Sequence, residues 1–199
     1  DAVAFVRERG QAMAQAAAIT PTGMSAVIGG DEDALLARLA ELDLSPANFN
    51  GGGQIVVAGS LEGLAALQEN PVPGTRVIPL QVAGAFHTRY MEPAVAQLRE
   101  FASTLAISDP TLPIWTNRGG VLVQSGAEFV DLLVGQVSSP VRWDLSMQSF
   151  ADAGVTGIIE LAPAGALVGL AKRGLKGVPA VAVKTPDDLT AAFDLLDGT

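Results

Sequence analysis

Apolar positions along the chain recur at two periods, one helical and one strand-like. Residues 2–17 follow the helical period, with Val3, Val6, Gly10, Met13 and Ala17 on one side. "GMSAVIGG" (23–30) is a short apolar run closed by glycines and predicts a strand. "DEDALLARLAEL" (31–42) opens with acids, which suit a helix N-terminus. "PANFN" and "QIVVAGS", split by Gly51, Gly52 and Gly53, predict two strands around a turn. "LEGLAALQEN" predicts a helix and "TRVIPLQVA" a strand. The order over 23–83 is β-α-β-β-α-β, a ferredoxin-like arrangement.

The pattern continues differently after residue 84. A helix is expected over 90–105, a strand over "LPIWTN" (112–117) and a helix over "AEFVDLLVGQ" (127–136). "PVRWDLSMQSFADAG" predicts another helix, with Pro140 at an allowed first-turn position. "TGIIELAP" (156–163) has the short apolar run of a buried parallel strand. "GALVGLAKRG" predicts a helix ending at Gly174; "PAVAVK" and "DLTAAFDLL" predict a last strand and helix. This second part resembles half of an α/β sheet covered on both faces. The expected organisation is a small subdomain at 23–83 inserted into a larger α/β domain formed by 1–22 and 84–199.

Composition narrows the function classes. Of 199 residues, 49% are hydrophobic, enough for a sizeable core. A formal net charge of −9 argues against a nucleic-acid binder, which would carry a basic stripe. With no cysteine there is no disulfide framework and no thiolate metal site, and a cytoplasmic location is expected. No apolar run reaches the length of about 18 residues that a membrane helix needs, and "DAVAFVRERG" is not a signal peptide.

Candidate chemistry gathers around the single histidine. His87 follows the apolar "VIPLQVAGAF". Such a residue is either packed in a core or serves as a base. Arg9 lies three residues after Val6 and four before Met13, at the edge of the buried side of the first helix. An inward guanidinium there serves a structural ion pair or grips an anionic ligand. Phe86 is a core ring or a wall beside His87. Asn48 and Asn50 flank Phe49 at period two and face one way, either satisfying turn backbone or lining a cleft. Arg76 and the "KRGLK" run with Lys172, Arg173 and Lys176 form local basic islands, either solvated charge or a docking surface for an acidic partner.

Five segments in order resemble one family: "VRERGQAM" (6–13), "SPANFN" (45–50) with its glycine turn and "QIVVAG", "GAFHT" around His87, "VGQVSSPVRW" (134–143), and "ELAPAGALVGLAKR" (160–173), with Ala164 where a glycine is common. Together they are similar to the malonyl-CoA:acyl carrier protein transacylases and to the acyltransferase domains of polyketide synthases. The family's G-Q-G-S-Q strand end and G-H-S-x-G nucleophile elbow do not occur here. The resemblance therefore implies the C-terminal two thirds of such an enzyme, part of an α/β-hydrolase-like three-layer domain. The nucleophile would sit in an N-terminal segment outside this chain.

The implied reaction moves a malonyl group from coenzyme A to the phosphopantetheine thiol of acyl carrier protein through an acyl-serine. No cofactor, metal, nucleic acid or membrane is implied. His87 would be general base and acid, and the main-chain carbonyl of Gln136 would orient it. Arg9 would grip the malonyl carboxylate. Phe86 would exclude an α-methyl group, since an "AFH" ending accompanies malonyl in the related polyketide enzymes. Met13 and Asn50 would line the substrate site, and Arg76, Lys172 and Arg173 would dock the carrier protein. The alternatives are a unit of a polyketide synthase or a non-catalytic fragment that keeps the fold as a binding module.

Overall fold

The computed structural model describes residues 1–198 and is a mixed α/β protein. Helix α1 spans Ala2–Ala17. Next come β1 (Thr22–Gly29), α2 (Glu32–Glu41), β2 (Ser45–Gly51), β3 (Gln54–Ser60), α3 (Leu61–Glu69) and β4 (Thr75–Pro79). Local chemistry sets their ends. Asp31 caps α2 by accepting the Ala34 N–H at 2.8 Å, and Ser60 caps α3 by accepting the Gly63 N–H at 3.0 Å. Between β2 and β3, Gly51, Gly52 and Gly53 all hold positive φ (72°, 57° and 73°), a turn that other residues adopt only with strain.

These strands form one sheet of order β4-β1-β3-β2, antiparallel throughout, with a two-residue strand β5 (Val141–Arg142) added in parallel beside β2. The sheet thus extends beyond the 23–83 segment. One face buries Val27, Ile55 and Val57 against Leu35, Leu39, Leu64 and Leu67 of α2 and α3. The opposite face carries Met24, Val56 and Ala58, which pack with Ala85 and leave room for a cleft. That two-sidedness follows from the strand period.

A helical layer flanks the cleft. It consists of α1, α4 (Glu92–Ala102) and α5 (Gly126–Gln136), packed through Phe5, Met13, Met91, Leu98, Val134 and Val137. The C-terminal part holds α6 (Trp143–Asp152), β6 (Ile158–Leu161), α7 (Ala166–Gly174), β7 (Ala180–Val183) and α8 (Leu189–Asp197), with β6 and β7 parallel. The carboxylate of Glu160 on β6 accepts the N–H groups of Gly165, Leu167 and Val168 at 2.9–3.0 Å, and so holds the start of α7.

Several expectations are corrected. The buried side of α1 runs through Phe5, Ala12, Met13, Ala16 and Ala17, while Val3 and Val6 are 85% and 64% exposed. Phe5, the larger side chain, anchors the helix and turns the predicted stripe away from those valines. The strand before His87 stops at Pro79, whose missing N–H ends the ladder apart from one further bond, Leu80 N–H to the Met24 carbonyl. Residues 112–117 form no strand; Pro113 interrupts them, and only an isolated Trp115–Leu122 bridge forms. Pro140 lies outside any helix, because Val141–Arg142 pairs with β2 and the helix starts at Trp143. The helix α7 ends at Gly174 as expected, with Leu175 as its C-cap. β6 is parallel as expected but half-buried, since among the described residues it pairs only with β7.

Candidate active site

The site is built on the loop between β4 and a 3-10 turn at Arg89–Met91. Gly84 presses so closely on α1 that a Cβ there would lie 2.8 Å from Ala17 Cβ. The Ala85 N–H donates to Thr22 Oγ1 at 2.9 Å, and the Thr88 hydroxyl donates back to the Ala85 carbonyl at 2.6 Å. The His87 N–H reaches the Val137 carbonyl just past α5 at 3.1 Å. These bonds hold His87 at φ +61°. For a residue other than glycine such a conformation costs about 1–3 kcal/mol and persists only where its surroundings over-determine it.

The imidazole Nδ1 lies 2.9 Å from the main-chain carbonyl of Gln136. A carbonyl only accepts, so Nδ1 carries the proton and Nε2 presents its lone pair. Gln136 ends α5, where the negative end of the helix dipole favours an imidazolium if one forms. Burial holds the His87 pKa below its ordinary 6.5, and the nearby Arg9 charge pushes the same way; hydrogen bonding to the Gln136 and Ser139 backbone pulls against them. The ring is therefore neutral at pH 7 and able to take a proton.

His87 opens onto a cavity of about 470 Å³, walled on the helical side by Arg9, Met13 and Phe86 and on the sheet side by Met24, Asn48, Asn50, Val56 and Leu80. Arg9 falls in one row with Phe5 and Met13 on α1 and is half-buried. Burial lowers its pKa, yet the ion pairs among the described residues do not include it. A structural carboxylate partner is thus absent among the described residues, and an uncompensated cation faces the cavity. Phe86 packs against both the helical core and the sheet core while bordering the cavity. Asn50 Nδ2 donates to Gln54 Oε1 at 3.2 Å. Phe49 turns to the other side, beneath the Arg142 guanidinium at 4.5 Å.

Arg76, Lys172 and Arg173 are not among the residues that line the cavity. Arg173 Nη2 is 3.4 Å from the same Gln54 Oε1, and its side chain borders Gly52. Arg76 is opposite Ile28, which is in turn opposite Gln54, so Arg76 and Arg173 flank one end of the sheet. Lys172 is exposed on α7 beside Arg173. Sequence reading missed Thr22, Thr88, Met24, Val56 and Leu80. Thr88 was marked by its place after the histidine. Thr22 lies 65 positions before His87 and carried no local signal.

This arrangement can accept a proton at Nε2 and hold an anionic group at Arg9 within one cavity. No hydroxyl or thiol is among the residues that line it. No protein-family model matches the chain. It is 52% identical over 195 residues to the malonyl CoA-acyl carrier protein transacylase of Mycobacterium tuberculosis, covering 98% of this chain and 65% of that protein. It is 48% identical over 193 residues to the same-named protein of Mycolicibacterium smegmatis, covering 95% of this chain and 67% of that one. A crystal structure of MCAT from Mycobacterium tuberculosis superposes with a TM-score of 0.92 at 52% identity, over 96% of this chain and 63% of that one. The chain thus spans about 65% of the length of the first of these relatives.

Proposed function

Because this chain belongs to the malonyl CoA-acyl carrier protein transacylase family, we propose that it supplies the base, the acyl-recognition wall and part of the carrier-docking surface for malonyl transfer. The reaction runs from malonyl-CoA to the phosphopantetheine thiol of an acyl carrier protein. The serine nucleophile and the oxyanion donors come from a segment outside this chain. That segment seats on apolar surface such as Val3, Val6, Leu161 and Phe193, each more than half exposed here.

In the first half-reaction the serine oxygen attacks the malonyl thioester carbonyl while His87 Nε2 takes its proton. The tetrahedral intermediate collapses, breaking the C–S bond, and the imidazolium returns that proton to the departing coenzyme A thiolate. The second half-reaction is the reverse with the carrier thiol: Nε2 deprotonates it, sulfur attacks the acyl-serine, and the serine leaves with the proton. The Gln136 carbonyl keeps Nδ1 protonated throughout, the role that a carboxylate takes in a Ser-His-Asp triad. Arg9 holds the malonyl carboxylate by two parallel N–H···O bonds. Phe86 occupies the space that an α-methyl group needs. Met13 and Asn50 line the acyl-pantetheine path, and Arg76, Lys172 and Arg173 receive the acidic carrier protein.

In the same reading, 23–83 is a ferredoxin-like subdomain and 1–22 with 84–199 is part of an α/β-hydrolase-like domain. The β4-β1-β3-β2 order supports the first half of that assignment.

One observation carries the functional reading: a tautomer-fixed His87 and an Arg9 with no ion-pair partner among the described residues face the same cavity. It is tested through Arg9. In the protein completed with a nucleophile-bearing segment, kcat/KM for malonyl-CoA and acetyl-CoA is compared between wild type and Arg9→Ala. Malonyl transfer is expected to fall by an amount corresponding to roughly 1.5–3 kcal/mol per charge-assisted bond lost, while acetyl transfer holds or rises. Arg9→Lys rescues in part, lacking the planar fork. Equal loss on both substrates with a lower Tm would make Arg9 structural.

A further inference from the structure

We infer that Thr22 is a positioning residue for His87, setting the imidazole against the Gln136 carbonyl through the backbone of Ala85. Thr22 opens β1 and is locked in the ladder opposite Ser60. It is 7% exposed, and its Oγ1 accepts the Ala85 N–H at 2.9 Å across a separation of 63 residues. Ala85 is fully buried. Its carbonyl is taken by a second hydroxyl, that of Thr88, at 2.6 Å. Both peptide groups of Ala85 are therefore held by side-chain hydroxyls, in a stretch where the strand ladder has already ended.

Ala85 is followed directly by two loop residues that face the cavity, Phe86 and His87. Upstream, Gly84 is wedged against Ala17, so the loop cannot relax in that direction. Downstream, His87 sits at positive φ with its N–H on Val137 and its ring on Gln136. A buried N–H without a partner is costly and draws the backbone toward water. Removing the Thr22 hydroxyl is thus expected to shift the loop at Ala85 and, with it, the two His87 contacts downstream, the N–H on Val137 and Nδ1 on Gln136. The proposal concerns ring geometry; its consequence for catalysis rests on the reading of His87 as the base.

The single histidine makes the test clean, since every imidazole signal in a long-range ¹H–¹⁵N spectrum belongs to His87. In the 199-residue protein above pH 7, wild type is expected to show the Nδ1–H tautomer alone. Thr22→Val, which keeps the shape and removes the hydroxyl, should show the Nε2–H tautomer beside it, and Thr22→Ser should restore the wild-type pattern. With the nucleophile segment supplied, Thr22→Val should lower kcat by about 10²-fold, the scale of a small misplacement of a reacting group, with KM little changed. A Thr22→Val protein with a lower Tm and an unaltered imidazole spectrum would overturn the proposal. If that variant does not fold, Thr22→Ala, which leaves space for a water at the Ala85 N–H, is read against Thr22→Ser. A wild-type spectrum in both would overturn it equally. An imidazole that responds as expected while His87→Ala transfers malonyl normally would leave the positioning role standing and remove the catalytic one.

Discussion

His87 combines a positive φ, a fixed tautomer and a lowered pKa, and all three follow from what surrounds it. Burial disfavours the imidazolium first, and the Arg9 charge lining the same cavity adds to this, against the pull of the Gln136 and Ser139 backbone. The sign of the pH effect follows from the folded midpoint lying below the unfolded one. As pH falls through 6.5, the unfolded chain takes up a proton before the folded protein does, so stability drops across the window from 6.5 down to the folded midpoint. Urea unfolding between pH 7.5 and 5 should therefore show wild type losing stability relative to His87→Asn. Parallel curves, or an NMR titration of the single histidine with its midpoint above 6.5, would contradict the account. Arg9 is read most easily beside it. Its sequence position marked the edge of a buried face, yet only the fold shows that the facing residues offer it a cavity.

At the scale of elements, packing decides more than pattern does. The α1 stripe read from Val3 and Val6 failed because Phe5 anchors the helix, so size outweighed spacing; Met13, common to both, lines the cavity. β5 was hidden because Val141–Arg142 runs straight into the helical period of α6. Its assignment depends on long-range pairs, Val141 with Asn48 and Arg142 with Phe49. The glycine turn and the caps at Asp31 and Ser60 are local devices, which is why β1 to α3 were legible. Two substitutions probe the layer that supports His87. Leu98→Ala, at a fully buried position between α1 and α4, should cost about 2–5 kcal/mol by leaving a cavity. Gly84→Ala should cost about 1–3 kcal/mol by overpacking, because its Cβ would meet Ala17. Chemical denaturation measures both, and a neutral Gly84→Ala would mean that the loop is not wedged against α1.

Over the whole molecule, the five-stranded sheet and the helical layer bring residues of α1, β1, the β2–β3 hairpin and the loop after β4 to one cavity. Their order in the sequence was legible as a family resemblance, and relatives at 52% and 48% identity bear out the family. On the sheet side Asn48 and Asn50 were legible, but the apolar lining was not, because Met24, Val56 and Leu80 read as ordinary core positions until β1 and β3 were paired. The chain spans about 65% of the Mycobacterium tuberculosis relative, and His87 and Arg9 line a cavity whose lining residues include no hydroxyl or thiol. The most direct measurement is malonyl transfer from malonyl-CoA to a holo carrier protein, followed by mass spectrometry. It compares the chain alone, the chain completed with a nucleophile-bearing N-terminal segment, and the completed His87→Ala protein. The account predicts no transfer by the chain alone, transfer on completion, and a fall of roughly 10²–10⁴-fold for each proton-transfer role lost in His87→Ala. Transfer by the chain alone, or a near-normal rate in a folded His87→Ala protein, would contradict it.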